Sequence, residues 1–404
     1  MKKKRPIEVK PNNLLRLVEQ RLQSRRQGKY SNNDQQALDI PEDCLYNIVL
    51  RLPLESILTS RFVCKSWYKV INSPHFKNLH LTHSEPGLIF LSPIARSNSS
   101  QDPEPKVNFS VEAKSMGLDM PLLDSVPPLY HIKFLEIKNG KSVTREYNST
   151  CIGRIKAAGN CLILLENRAK KGGGGCLILM NPVTRELKNI PLGTVSYEGV
   201  ESYGLAFSKE LQIYKLVHLF FVSGFIGCEV MDIRQGSWRE VDGPQNIHRR
   251  MLGLGSPIFA MGALHWSHPP FMSNNGHLVS MTLNDEKFRT IPFADGIRIS
   301  NGIFEMGGLV WCMSREEAHW VSVWALRGLD GERWERMYSI CAEGVGYMVP
   351  LYCGGGVNGK FVFRSKDQVL YACDRRSGDM EKIGKIWEWR NYFPHVNGLV
   401  SWRN

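Results

Sequence analysis

Asp39 to Phe76 reads DIPEDCLYNIVLRLPLESILTSRFVCKSWYKVINSPHF. Proline fixes φ near helical values and has no N–H to leave unpaired in a first turn, so Pro41 predicts a helix start. Leu45, Ile48, Val49 and Leu52 recur at i, i+3, i+4 and i+7, one face of a helix that Pro53 stops. Leu54, Ile57, Leu58 and Phe62 repeat the pattern, and Val63, Trp67, Val70 and Ile71 form a third set ended by Ser73-Pro74. Three short helices cannot bury so much apolar surface among themselves, so a surplus is left for something else to cover.

A chain of 404 residues is too long for one typical domain and suits a small helical module followed by a large body. Residues 1–38 carry +7 of the net charge of +12, and Gln, Ser, Asn and Gly dominate from Gln23 to Gln36, so this stretch reads as a basic, largely disordered tail. Lys2, Lys3, Lys4 and Arg5 form a cluster of the kind importins read, a nuclear-import candidate; a solvated tail is the plainer reading. The body holds only the remaining +5, which gives no electrostatic case for direct nucleic-acid binding. The cysteines show no metal-type spacing, no signal peptide is expected, and the ten cysteines read as buried free thiols. The longest apolar run, Leu216 to Cys228, is broken by His218 and Ser223-Gly224 and is too short for a bilayer; two buried strands and a turn account for it, and no membrane partner is expected.

Beyond residue 84 the helical period gives way to strand alternation with many glycines and turn residues. Gly262-Ala263-Leu264-His265-Trp266, Gly307-Gly308-Leu309-Val310-Trp311 and Gly359-Lys360-Phe361-Val362-Phe363 recur at intervals of 45 and 52 residues, with Gly159-Asn160-Cys161-Leu162-Ile163 upstream. A second marker, an apolar strand running through a turn into a large residue and an aliphatic one, closes at 190, 241, 291, 337 and 383. A period near 48 in an all-β sequence predicts four-stranded propeller blades, each burying its faces against its neighbours. Five units span about 143 to 384, and Pro86 to Lys141 supplies at least one more blade. The tail Val396 to Trp402 is expected to pair with the first blade and close a ring of six blades, with seven the alternative.

Ile40-Pro41-Glu42-Asp43, Leu52-Pro53-Leu54, Val63-Cys64-Lys65-Ser66-Trp67 and Ser73-Pro74-His75-Phe76 resemble a plant-type F-box, departing mildly at Ile40, Phe62 and Cys64. Asn181-Pro182-Val183-Thr184-Arg185-Glu186, Tyr214-Lys215-Leu216-Val217, Ser237-Trp238-Arg239 and Val323-Trp324-Ala325-Leu326 resemble, in that order, the F-box-associated region of such proteins, which is related to kelch repeats. The resemblance implies a three-helix F-box at 39–80 and an F-box-associated β-propeller at 84–402. It also implies a substrate receptor of a Skp/cullin/F-box ubiquitin ligase: the F-box holds a Skp-type adaptor and through it the cullin and RING subunits, and the propeller holds an unknown target protein. Carried over position by position, the adaptor-binding residues are Pro41, Leu45, Ile48, Leu52, Pro53, Leu58, Val63 and Trp67, with Leu45 and Ile48 as exposed anchors. Such a chain works in the nucleus, the cytoplasm or both.

Few residues argue for chemistry. His265-x-x-His268 could pair on a metal, but a blade-edge turn explains it more simply, and the glycine runs at Gly172 to Gly175 and Gly354 to Gly356 lack what a phosphate loop needs. No cofactor and no catalytic residue is expected. A propeller enzyme with a metal or acid/base cluster in its channel, and a nucleic-acid-associated factor using the basic tail, are the two competing classes.

Overall fold

The computed structural model describes residues 41–94, 129–138, 141–167, 176–194, 201–245, 252, 256–267, 276–295, 297, 302–315, 317, 319–329, 333–343, 345, 348–354, 359–365, 367, 369–385 and 392–402. Lys2 to Arg5, His268, Gly172 to Gly175 and most of the polar segment from Ser92 to Pro105 lie outside them. The chain divides into two compact units between Thr82 and His83.

The first unit is helical: α1 (Glu42–Leu50), α2 (Leu54–Ser60), α3 (Lys65–Asn72) and α4 (Pro74–His83). Pro41 and Pro53 are N-caps, one residue outside the helices they start. A fourth helix begins where the sequence suggested a stop, because Pro74 is its first residue and Ser73 caps it: Ser73 Oγ accepts the Phe76 N–H at 3.2 Å. The same hydroxyl lies 2.9 Å from Tyr46 Oη, which fastens α1 to the α3–α4 junction.

The second unit is a six-bladed β-propeller. Blade 1 contains β1 (Pro86–Pro93), β2 (Leu129–Lys138) and β3 (Lys141–Ile152), and takes its inner strand, β24 (Phe393–Val396), from the other end of the chain. Blade 2 is β4 (Arg154–Gly159), β5 (Leu162–Asn167), β6 (Cys176–Asn181) and β7 (Glu186–Ile190). Blade 3 is β8 (Glu201–Ser208), β9 (Ile213–Val222), β10 (Phe225–Asp232) and β11 (Trp238–Val241). Blade 4 is β12 (Ile258–Ala260), β13 (Ala263–Ser267), β14 (His277–Thr282) and β15 (Phe288–Pro292). Blade 5 is β16 (Ile303–Met306), β17 (Leu309–Arg315), β18 (Trp320–Leu326) and β19 (Trp334–Cys341). Blade 6 is β20 (Met348–Cys353), β21 (Lys360–Ser365), β22 (Val369–Asp374) and β23 (Met380–Lys385). The inner strands β4, β8, β12, β16, β20 and β24 touch in sequence and the last touches the first, so the ring closes.

Two expectations shift. β3 belongs to blade 1, not to the first repeat unit, and the closing strand is Phe393–Val396 rather than the residues after it. Pro394 lies in this strand opposite Leu88; it has no N–H to donate, which an edge strand tolerates. The segment after β24 is fastened through a side chain instead. Asn181 Nδ2 donates to Gly398 O at 3.0 Å and Val400 O at 2.8 Å, while its Oδ1 accepts the Val183 and Thr184 N–H groups. Asn181→Ala should therefore lower the unfolding free energy by about 2 kcal/mol, read from the shift in urea midpoint, because buried carbonyls lose their donor.

The recurring glycine motif is the turn between the first and second strands of a blade. Asn160-Cys161, Met261-Gly262 and Gly307-Gly308 all have positive φ at both residues, the two-residue turn whose twist matches a hairpin. Between third and fourth strands, Asp232 and Asp374 accept backbone N–H groups two residues on, the arrangement Asn181 also makes. Side chains then link neighbouring blades. Trp238 donates to Pro191 O at 2.9 Å and Trp334 to Pro292 O at 3.0 Å, both from the start of an outer strand to the blade before it. Apolar cores lie between blades, as where Phe304, Trp311 and Val323 meet Phe361 and Phe363. Of the ten free cysteines Cys161, Cys228, Cys312, Cys353 and Cys373 are buried, but Cys44 and Cys341 are exposed, contrary to the reading of all as buried.

Candidate functional site

In the helical unit, burial divides the apolar face that the sequence treated as one. Leu45 and Val49 of α1 point inward, at 2% and 0% exposure, whereas Ile48 between them is 37% exposed. Leu45 is therefore a core residue, not an exposed anchor. At 3.6 residues per turn Val49 lies about 40° to one side of Leu45 and Ile48 about 60° to the other, and the buried stripe runs along the Leu45–Val49 side. Ile57 of α2 and Val70 and Ile71 of α3 are buried. Pro41 and Pro53 are exposed, and Leu52, Leu58, Val63 and Trp67 are half-buried. Among the described residues of this unit, Phe62 at 72% and Tyr68 at 58% are large exposed aromatics. The sequence pattern puts Phe62 on the apolar face of the second helix, but α2 ends at Ser60 and Phe62 stands exposed beyond it; Tyr68 belongs to none of the apolar sets.

In the propeller, the antiparallel order of each blade sorts its connections by end. Turns joining first to second and third to fourth strands lie at one end and are mostly tight. Second strands lead to third strands, and one blade to the next, from the other end, and the link with the most residues, from β1 to β2, leaves and re-enters the blade there. Phe225 and Trp320, 58% and 46% exposed, each begin a third strand at this long-connection end.

The same end holds a buried polar network at the seam of blades 2 and 3. His218 of β9 is fully buried; its Nδ1 lies 2.8 Å from Glu229 Oε1 and its Nε2 3.2 Å from Glu201 Oε2. Lys156 of β4 bridges Glu201 at 2.7 Å and Glu166 at 3.3 Å. Thr194, in the crossover from blade 2, donates to Glu229 through its N–H at 2.9 Å and its hydroxyl at 2.7 Å. The Tyr203 ring stacks on the imidazole with centroids 4.2 Å apart. A side chain at Gly193 would meet Glu229 Oε1 at 2.1 Å and His218 Nδ1 at 2.3 Å, so only glycine lets the crossover pass.

Burial disfavours charge on His218, but its bonds to Glu201 and Glu229 outweigh that and hold its pKa above the ordinary 6.5. For Glu201 and Glu229 burial is again the larger opposing effect, overcome by the bonds from His218, Lys156 and Thr194, and both lie below 4.5. The signs agree on an imidazolium between two carboxylates. Its stabilisation is full below pH 6.5 on the histidine side and lost as pH rises through the raised folded value. On the carboxylate side it is full above pH 4.5 and lost as pH falls through the lowered values. The difference in melting temperature between the wild type and His218→Gln should thus be largest between those limits and shrink on either side. A pH-independent difference would contradict the ionised pair.

His265 lies within β13 rather than in a turn. Its Nδ1 is 2.7 Å from Ser280 Oγ and its Nε2 3.1 Å from Ala260 O; burial pushes its pKa down to about 4, and both nitrogens are engaged. The sequence marked His218 only as interrupting an apolar run; that a histidine and Lys215 sit in a buried strand was the available signal.

Comparison with known proteins matches the F-box domain to residues 37–79. F-box protein At5g49610 of Arabidopsis thaliana is 22% identical over 88% of this chain and 92% of its own length. F-box protein At5g10340 of the same plant is 24% identical over 74% of this chain and 69% of its own. F-box protein CPR1, also from Arabidopsis thaliana, is 23% identical over 77% and 76%. The chain thus carries an F-box domain followed by a six-bladed propeller, and along most of its length it is similar to plant F-box proteins.

Proposed function

We propose that this chain is the substrate-receptor subunit of a Skp/cullin/F-box ubiquitin ligase. The observation that carries the reading is the F-box match at 37–79 on the same chain as a six-bladed propeller. In this reading Ile48, Pro41 and Pro53 offer the adaptor an exposed apolar edge, with Leu52, Leu58, Val63 and Trp67 partly behind it. The long-connection end of the propeller receives the target protein. The chain brings target and ligase together, and transfer chemistry belongs to the cullin and RING partners. Lys2 to Arg5 suit import into the nucleus, and work in the nucleus or the cytoplasm follows from the same reading.

Co-purification tests it. The full chain should retain a Skp-type adaptor and cullin, and deletion of residues 37–79 should remove both while targets stay bound to the propeller. Retention of adaptor by the deletion variant would refute the assignment.

A further inference from the structure

Outer strand β11 has four residues, against five in β15, eight in β19 and six in β23. Its ladder with β10 begins at Cys228 opposite Val241, so Phe225, Ile226 and Gly227 run past its end. The missing length opens a groove of about 890 Å³ between these residues and the strand's continuation through Asp242, Gly243 and Pro244. It runs on into a second, of about 940 Å³, along the seam with Phe288 and Thr290 of blade 4. The wall is tight: a Cβ on Gly243 would come within 2.1 Å of Ile226 O.

Phe225 stands exposed at the lip. Charge in the groove is one-sided. The described lining residues of both parts include Glu240, Asp242, Asp285 and Glu286 against one cation, Lys287. Glu286 is held by Lys215 at 2.7 Å and by Arg239, while Glu240 and Asp242 are exposed to solvent. An aromatic lip on a preformed acidic groove favours a cationic, partly apolar strand of peptide.

We propose that this groove binds an extended Lys/Arg-rich segment of the target protein, with one aliphatic or aromatic side chain packed on Phe225. The proposal rests on the receptor reading and specifies what the propeller grips. Polarisation titration of the full-length chain tests it, using a labelled Lys/Arg heptapeptide with a central leucine and a Glu-substituted control. The basic peptide should bind at least about tenfold more tightly than the control, and Phe225→Ala and the double variant Glu240→Lys/Asp242→Lys should each weaken it about tenfold. The double variant should also flatten the salt dependence. Equal binding of both peptides, or unchanged binding by the variants, would overturn the proposal. So would a tenfold gain on deleting residues 1–38, which would assign the groove to the chain's own basic tail. Adaptor co-purification is read on the same samples: it should be unaffected by the groove variants, and its absence from the wild type would sink the receptor reading while leaving the peptide result standing.

Discussion

His218→Ala should lower the unfolding free energy of the propeller by about 3–5 kcal/mol, because it leaves two buried carboxylates without the cation between them. The intact pair need not contribute that much, since taking its charges out of water offsets most of their attraction; the cost lies in breaking it. Glu201 would keep Lys156, and Glu229 would keep, among the described residues, the Thr194 donors. The Tyr203 ring would lose its stacked partner in the same step. Urea unfolding followed by tryptophan fluorescence should show the midpoint fall, and Trp238, 5.9 Å from the imidazole, lies close enough to report on the site. Replacing His218, Glu201 and Glu229 together by leucine should recover part of the loss, because no unpaired charge remains. A loss as large in the triple variant would mean that shape, not charge, holds the seam.

The two halves of the fold were legible for different reasons. A propeller repeats its local rules, so closing positions 190, 241 and 291 could be checked against one another, and all three fall in outer strands β7, β11 and β15. Ring closure followed from counting blades, but the strand that closes it did not. Val396 to Trp402 has better alternation than Phe393 to Val396, and only the ladder to β1 and the grip of Asn181 show which residues pair. The fourth helix was missed because Ser73-Pro74 is both a stop for α3 and a start for α4. The His218 network is assembled from three strands of blade 3, two of blade 2 and a crossover. Its members therefore carry no sequence spacing from which a motif could be read. Leu45 and Ile48 share an apolar helix pattern, and periodicity cannot rank burial within one stripe.

That division decides how the adaptor surface should be tested. Ile48→Asp should reduce adaptor binding at least about a hundredfold, because a charge placed in an apolar contact must shed its water without a partner. Ile48 is 37% exposed, so the substitution should leave the melting of the helical unit nearly unchanged. Leu45→Ala also targets α1 but acts differently: Leu45 is 2% exposed, and truncation there should cost about 2–5 kcal/mol of stability. Adaptor loss in that variant would report unfolding rather than a missing contact. Measuring both separates the two, by pull-down for binding and circular dichroism for helix content. Ile48→Asp should lose adaptor with helices intact, and Leu45→Ala should lose helix first and adaptor in proportion. If Ile48→Asp instead binds adaptor as the wild type does, the exposed side of α1 is not the docking surface, and the half-buried set of Leu52, Leu58 and Trp67 must supply it.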